Sequence, residues 1–376
     1  MKFVVSSTDL LNHLQAVSRV ISSKNTLPIL DNFLFKLQDN ELVITASDLE
    51  STLTTRMVLD NSSGEGLIAI PARILTDTLK EFPEQPLTFD ISTENYAVDI
   101  TTENGKFSVV GQNGEDFPQY PLLKDDIKTT VRMSAEVLLH GITRTIFATA
   151  DDELRPVMNG IYLDFTADNM TFVASDAHKL VRYKRFDVKT EADSSFILPK
   201  KPASLLRNIL AREKGDVVIE FDDKNALFTM TDYILVSRLV EGNYPNYSSV
   251  IPSDNPNKLI ADRHDLINSL RRVSVFSSQA SNLVKLELGT NQITISAQDI
   301  DFSISAYEKL QCQYEGEEMA IGFKSTFLIE ILNNLATPEV IMELSDPSRA
   351  GLLLPFEPEN NDDDLLMLLM PMMINM

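Results

Sequence analysis

One spacing constrains this chain more than any other feature: its landmarks recur about 128 residues apart. "SSTDLLNHL" near the start is answered by "MSAEVLLHGI" and then by "ADRHDLINSL", so Leu10, Leu138 and Leu266 fall at intervals of 128 and 128. A fixed period over this length means one structural unit repeated along the chain. Ser6, Ser134 and Asp262 hold the same place ahead of those leucines. Ser or Asp there suits an N-cap, whose side-chain oxygen accepts an otherwise unpaired backbone N–H. The next landmark is "LVITASD", "MTFVASD" and "ITISAQD", ending at Asp48, Asp176 and Asp299. Its alternating β-prone residues predict a strand running into a turn. Then come "AIPARILTDTLKEF", "ILPKKPASLLRNIL" and "AIGFKSTFLIEILNNL", each a short apolar strand continuing into a helix. Pro118 in "EDFPQYP" and Pro245 in "EGNYPNY" close the first two copies, and "LMPMM" closes the third.

The constant order predicts an α+β chain of three domains, 1–127, 128–256 and 257–376, each with two helices and many short strands. Domains of this size can each bury their own core. Linkers are expected in "YPLLKDD" (120–126) and "VIPSDNPNK" (250–258), both rich in Pro and Asp. A single cysteine, Cys312, excludes an internal disulfide and fits a reducing compartment. "MKFVVSSTDLL" lacks the apolar region of a signal peptide. The most apolar run, 365–376, is too short to span a membrane and contains Pro371. The expectation is a cytoplasmic protein with no membrane association.

A net charge of −22 argues against a surface that grips nucleic acid everywhere. The distribution is uneven, however. Six predicted helices, 7–24, 71–82, 134–150, 199–214, 262–277 and 322–336, hold 14 Lys/Arg against 8 Asp/Glu. The remainder holds 19 basic and 47 acidic residues. In the first helix Leu10, Leu14, Val17 and Ile21 form one apolar stripe, with Arg19 on the opposite side. Arg144 and Arg272 occupy matching positions 128 apart. Helices lining one surface, with acidic strands outside, would make a sparse positive track suited to phosphate contact rather than base readout. No aromatic residues interleave with the charges as single-strand binding requires, which favours duplex.

Catalytic signatures are missing. His140 and His264 show no metal-ligand spacing, and H-E-x-x-H, C-x-x-C, Walker A and G-x-S-x-G patterns do not occur. Ser175, Asp176 and His178 in "VASDAHKL" could be imagined as a nucleophile and base. Adjacent residues of a strand-to-turn segment point to different sides, though, and triads are assembled from distant segments. Because Asp48 ends the same Ala-Ser-Asp core, the stretch belongs to the repeat. No enzyme, no metal and no cofactor are expected.

With its three repeats, "TLPIL" at 26–30, "PAR" at 71–73, "ASDAHKL" at 174–180, "EGNYPNY" at 241–247 and "MPM" at 370–372, the chain resembles the bacterial β sliding clamp family. These are the processivity subunits of replicative DNA polymerases, and the resemblance runs the length of the chain. It implies three clamp-fold domains per subunit, with helices on an inner face and antiparallel sheets outside. Two subunits would form a homodimeric ring around duplex DNA, tethering the replicative DNA polymerase, the clamp loader and other proteins that carry a clamp-binding peptide. It implies a peptide groove using Met158, Ser175, Ala177, His178, Lys179, Leu180, Pro245, Val250, Leu368, Met370, Pro371 and Met372. A methionine-rich apolar groove suits several different peptides. DNA contacts would fall at Lys24, Arg73, Arg155, Lys200, Lys201 and Lys324, and Phe107 and Val109 would meet Val275 and Phe276 of the other subunit. On its helix Val275 points away from the apolar stripe, as an interface residue would. The alternative is a three-repeat peptide-binding scaffold that encircles nothing.

Two departures stand out. Some members have two aromatics after the equivalent of Arg155, where this chain has Pro156 and Val157. Many end just after "MPM" with a basic residue, whereas Met373, Ile374, Asn375 and Met376 follow here, so a more apolar groove rim is expected. "PENNDDDLL" at 358–366 is expected to be a solvated acidic loop.

Overall fold

A computed structural model describes residues 1–121, 123–124, 128–357 and 361–374. Parts of the expected linker at 120–126, the boundary at 127, the start of the acidic stretch at 358–366, and Asn375 and Met376 lie outside the described residues.

The repeat holds in three dimensions as a repeat of elements. Six α-helices occur among the described residues: α1 (Ser7–Val17), α2 (Ala72–Lys80), α3 (Ala135–Thr145), α4 (Lys200–Leu210), α5 (Arg263–Ser274) and α6 (Ser325–Asn333). Every one follows a strand with no intervening loop, as Lys2–Ser6 runs into α1 and Met319–Lys324 into α6. The three expected N-caps are present. Ser6 accepts the Asp9 N–H at 3.4 Å, Ser134 that of Val137 at 3.3 Å, and Asp262 that of Asp265 at 2.8 Å. Each such cap is worth about 1 kcal/mol. Leu10, Leu138 and Leu266 are all completely buried.

The aspartates of the second landmark build turns by accepting consecutive backbone N–H groups. Asp48 accepts from Glu50 and Ser51 at 3.0 and 2.7 Å, Asp176 from His178 and Lys179 at 2.9 Å each, and Asp299 from Asp301 and Phe302 at 3.0 and 3.3 Å. In the first two copies the residue after Asp is left-handed, Leu49 at φ 76° and Ala177 at φ 74°. A short polar side chain that satisfies its own turn explains why the motif recurs.

The helices are shorter than the sequence windows. Each of α1 and α3 ends in a 3-10 turn, at Ser18–Val20 and Ile146–Ala148, and α6 begins only at Ser325. Lys24 therefore lies in the loop after α1, and Ile21 falls outside the helix whose stripe it was expected to extend. The helices hold nine basic and five acidic side chains, so the bias survives at reduced strength and sits mainly on α4 and α5. The acidic stretch also differs from expectation. Asp363–Leu369 is a strand, where Asp364 pairs with Arg182 at 2.6 Å and Asp363 accepts the Tyr183 hydroxyl at 3.1 Å.

The chain divides into two compact units, Met1–Leu139 with Lys201–Leu239, and His140–Lys200 with Val240–Met376. The first holds a five-stranded sheet ending at the edge strand Lys106–Val110, and a nine-stranded sheet. Within that larger sheet Ser51–Val58 of the first repeat pairs antiparallel with Tyr233–Arg238 of the second, Leu53 opposite Leu235. The second unit holds a nine-stranded sheet, in which Lys179–Arg185 pairs with Asp363–Leu369, and a four-stranded sheet whose edge is Ile304–Gln311. Repeat boundaries thus coincide with strand pairing rather than with breaks in the sheet. Phe3 stacks on Phe89 at 4.8 Å in the first core, and Phe165, Phe172 and Phe323 fill the second. Each fully buried side chain of this size stabilises by about 1.5–3 kcal/mol. Among the described residues no helix is long and apolar enough to cross a membrane.

Gly141 is where the helix approaches the sheet most closely, since a Cβ there would lie 2.3 Å from the Phe172 ring. Gly141→Ala gains about 1 kcal/mol of helix propensity but overpacks a filled core, which costs about 1–3 kcal/mol. The variant should melt below the parent in a thermal unfolding scan. An equal or higher Tm would mean that the ring gives way freely.

Candidate functional site

The turn at Asp176 answers the question raised by "VASDAHKL". The Ser175 hydroxyl donates to the Lys179 carbonyl at 2.9 Å and accepts the Ala177 N–H at 3.1 Å. His178 stacks instead on Phe327 of α6, with centroids 5.8 Å apart. Ser175 and His178 serve different neighbours, and no catalytic relay forms.

What the turn does build is one wall of an apolar site. Leu180 sits opposite Leu368 across the inter-repeat ladder, and both are buried with Val173, Ala350, Leu352 and Leu366. Tyr162, Tyr244, Tyr247 and Ile251 pack over this cluster, with Tyr162 and Tyr244 stacked at 4.9 Å. The Tyr244 hydroxyl is buried beside the Ser175 backbone without a well-formed hydrogen bond, and burial pushes its pKa well up. Pro245 and Val250 stand exposed on the flanking segment, while Met158 is half-buried.

A second part of the wall is formed by the end of the chain. The Met370 N–H donates to the His178 carbonyl at 2.8 Å, and the Met372 N–H to the Gly322 carbonyl at 2.8 Å. Gly322 is required for this approach, since a Cβ on it would meet the Met372 carbonyl oxygen at 2.8 Å. The tail leaves Met370 and Met373 exposed and Pro371 and Met372 half-buried. Met373, in the C-terminal extension expected to make the groove rim more apolar, is exposed to solvent.

Lys179 differs from its expected part as a groove surface. Its side chain is 5% exposed, and its ammonium binds Asp176 at 2.8 Å and Glu330 at 3.1 Å while lying 4.4 Å from the Phe327 ring centroid. It locks the turn to α6. Burial works against the Asp176 carboxylate, but hydrogen bonds from the Lys179 ammonium and from the Lys179 and His178 amides hold its pKa below the ordinary aspartate range. This stabilisation is present above the unfolded aspartate pKa and is lost only as the pH falls through the lower folded value. Ser175 is likewise buried, shaping the turn from behind.

The six expected DNA-contacting cations differ in availability. Lys24 is exposed, and Arg73 is almost fully so, with only a loose 3.8 Å pair to Asp77. Arg155 is pinned to Asp152 at 2.8 Å, just before the 3-10 turn Pro156–Met158. Lys200 binds Asp151 at 2.6 Å, and Lys201 binds the Asp48 carboxylate and the Val20 carbonyl. Lys324 lies 4.5 Å from the Phe327 centroid, on the same ring as Lys179. Arg144 and Arg272 match along the sequence but not in partner: Arg144 donates to the Asn334 carbonyl, and Arg272 forks onto Glu308.

Both edge strands carry apolar side chains in solvent. On Lys106–Val110, Phe107 is 40% exposed while packing edge-on against Phe82, Val110 is exposed and Val109 half-buried. On or near Ile304–Gln311, Val275 is 72% exposed, and Phe276, Ile304 and Tyr307 are exposed as well. Arg272 holds Glu308 at 2.6 and 2.7 Å, which with the Ser269 hydroxyl lowers the Glu308 carboxyl to about 2. Sequence reasoning missed Phe327, Val110, Ile304, Tyr307 and the tyrosine stack. The two tyrosines of "EGNYPNY" were a usable signal for the stack, whereas Phe327 sits one position before the buried stripe Leu328, Ile331 and Leu332, with nothing local to single it out.

Comparison with known proteins fits this geometry. Three family models match in order: DNA polymerase III beta subunit, N-terminal domain, over 1–121; central domain, over 132–246; and C-terminal domain, over 248–373. The beta sliding clamp of Pseudomonas aeruginosa is 28% identical over 373 residues, covering 99% of this chain and 100% of its own. That of Escherichia coli is 28% identical over 348 residues, covering 92% and 93%. Among solved structures, the P. aeruginosa sliding clamp bound to griselimycin superimposes with a TM-score of 0.93 at 26% identity, and that of Bartonella birtlesii bound to griselimycin with 0.89 at 29%, each over 100% of both chains. With its three clamp domains matched from end to end, the chain belongs to the DNA polymerase III beta subunit family, the beta sliding clamps.

Proposed function

We propose that two copies of this sliding clamp close head-to-tail into a ring around duplex DNA, and that the groove at Leu180 and Leu368 holds the peptides of the replicative polymerase, the clamp loader and other partners. The observation that carries the ring is the pair of open edge strands, Lys106–Val110 and Ile304–Gln311, each with exposed apolar side chains. Soluble proteins protect such edges, and an unprotected one is a template for pairing with another chain. Joining one kind of edge to the other is a heterologous contact, which gives a ring when the rotation closes. Phe107 and Val109 would then face Val275 and Phe276, giving six clamp domains bounded near 127 and 256 in each subunit.

A ring retains DNA by enclosing it, so the phosphate contacts need only be weak. That matches a set of cations in which Arg155, Lys200 and Lys201 are already paired with carboxylates, leaving Lys24 and Arg73 the most available of those assigned to phosphate. Such a clamp is not a catalyst; it raises the effective concentration of a tethered polymerase at its template. It would work in the cytoplasm, a reading supported by its likeness to beta sliding clamps.

Sedimentation across a concentration series should give a dimer, and Phe107→Asp or Phe276→Asp should give a monomer with unchanged circular dichroism. A monomeric parent at every concentration would remove the ring.

Once loaded, the clamp should stay on nicked circular DNA and leave when the circle is linearised; a complex that survives linearisation is not topological. The doubly substituted Lys24→Glu, Arg73→Glu clamp should bind linear duplex more weakly, with a salt slope lower by about 2.

Gly322→Ala, which forces Met372 off the groove rim, should weaken a labelled peptide taken from the replicative polymerase by about tenfold in fluorescence anisotropy while the dimer persists. Unchanged affinity would exclude the tail from the groove.

A further inference from the structure

The chain contains three Asn-Gly pairs, Asn104–Gly105, Asn113–Gly114 and Asn159–Gly160. Such a pair is chemically labile, because glycine lacks the Cβ that would shield its backbone nitrogen from the preceding side-chain amide. The nitrogen can attack only where the asparagine is free to rotate onto it and the N–H is not already bound.

The fold protects two of the three. Asn159 accepts the Asp152 N–H at 2.9 Å and donates to the Asp152 carbonyl at 2.9 Å, and Gly160 is buried in a strand opposite Pro199. Asn113 accepts the Glu115 N–H at 3.2 Å, and Gly114 is buried against Leu67. Asn104 and Gly105 are both exposed, in the turn that joins Ala97–Thr101 to the edge strand Lys106–Val110. Thr102 closes this turn with its N–H and its hydroxyl, which donate to the Gly105 carbonyl at 2.9 and 3.2 Å. Among the described residues neither the Asn104 side chain nor the Gly105 N–H has a hydrogen-bond partner. Gly105 also lies against the side chain of Phe107, since a Cβ built on it would stand 3.4 Å from that phenyl group. The position of the turn and the position of Phe107 are therefore coupled.

We propose that Asn104 is a deamidation site and, on the reading of the clamp as a closed dimer, that its conversion loosens the subunit contact. The Gly105 nitrogen, having lost its proton to hydroxide, bonds to the Asn104 side-chain carbonyl carbon. The bond from that carbon to the amide nitrogen breaks, and the nitrogen takes a proton from water and leaves as ammonia. Water then opens the cyclic imide at either carbonyl, leaving aspartate or, where the chain runs through the side-chain carbon, isoaspartate. Both products add a negative charge, and isoaspartate lengthens the backbone by one methylene. Gly105 then shifts against Phe107, and the edge strand no longer presents that side chain to the partner.

The test incubates the full-length clamp at mildly alkaline pH and body temperature, following tryptic peptides by mass spectrometry and the whole protein by sedimentation. The peptide carrying Asn104 should gain the amide-to-acid mass difference over days, while those carrying Asn113 and Asn159 stay unchanged. The dimer should be lost in step with conversion. Asn104→Gln and Gly105→Ala should keep both the amide and the dimer, and the alanine Cβ has room at ordinary contact distance from Phe107. An unconverted Asn104, or equal conversion at Asn113 or Asn159, overturns the site. Conversion that leaves the dimer intact overturns its link to the subunit contact, as does an equal loss of dimer in the Asn104→Gln clamp. A parent that is monomeric before incubation removes the closed-dimer reading instead, and conversion at Asn104 is still read separately by mass.

Discussion

The antiparallel ladder between Lys179–Arg185 and Asp363–Leu369 is the interaction on which the proposed peptide site depends. It joins the middle repeat to the last through backbone hydrogen bonds, and those are indifferent to which side chains they carry. The ladder places Leu180 against Leu368, fixes the direction in which the chain leaves toward Met370, and brings Arg182 to Asp364. A slip of one residue would turn the leucines to the other face, because the side-chain period of a strand is two. The buried cluster of Val173, Leu180, Leu352, Leu366 and Leu368 opposes that slip. The same device joins the first repeat to the second through Ser51–Val58 and Tyr233–Arg238. A pairing that works twice within the chain is also the one that open edges make available between chains.

Electrostatics then sets how tightly such a molecule can hold a polyanion. The acidic excess lies outside the helices, yet individual acids also reach the cations expected to touch DNA. Asp151, Asp152 and Asp48 each take one. A phosphate reaching any of these three cations would compete with its internal partner, which would lower the energy of that contact. Strong, dedicated phosphate sites would work against sliding. The arrangement is consistent with retention by topology rather than by affinity.

The repeat was legible because its signals are local and strong. Helix caps at Ser6, Ser134 and Asp262, turns at the three aspartates, and strand-to-helix junctions before α2, α4 and α6 all depend on residues within a few positions of one another. Helix ends were less legible, because 3-10 turns at Ser18–Val20 and Ile146–Ala148 continue the apolar spacing without continuing the helix. The partners of charged groups were not legible. Lys179 and Glu330 are 151 residues apart, and only the fold makes a buried ion pair of two residues that in sequence resemble surface decoration. Phe327, which organises the cationic cluster, is invisible for the same reason.

The three aspartate turns show how one local solution diverges into separate uses. In each, a carboxylate oxygen accepts successive N–H groups, so the backbone shape is secured independently of everything outside the turn. The second oxygen and the outward residues are left free to vary. At Asp48 the second oxygen binds Lys201 and the turn becomes a structural clasp. At Asp176 it binds the turn's own Lys179, while His178 stacks on Phe327 and its carbonyl accepts the Met370 N–H. At Asp299 the turn is longer and sends Ile300 and Phe302 into solvent, immediately before the open strand at Ile304. The middle turn leads into a strand whose Leu180 joins Leu368 in an apolar floor, and that floor supports the groove proposed there. The repeat supplies the turn three times, and what surrounds the turn differs from copy to copy.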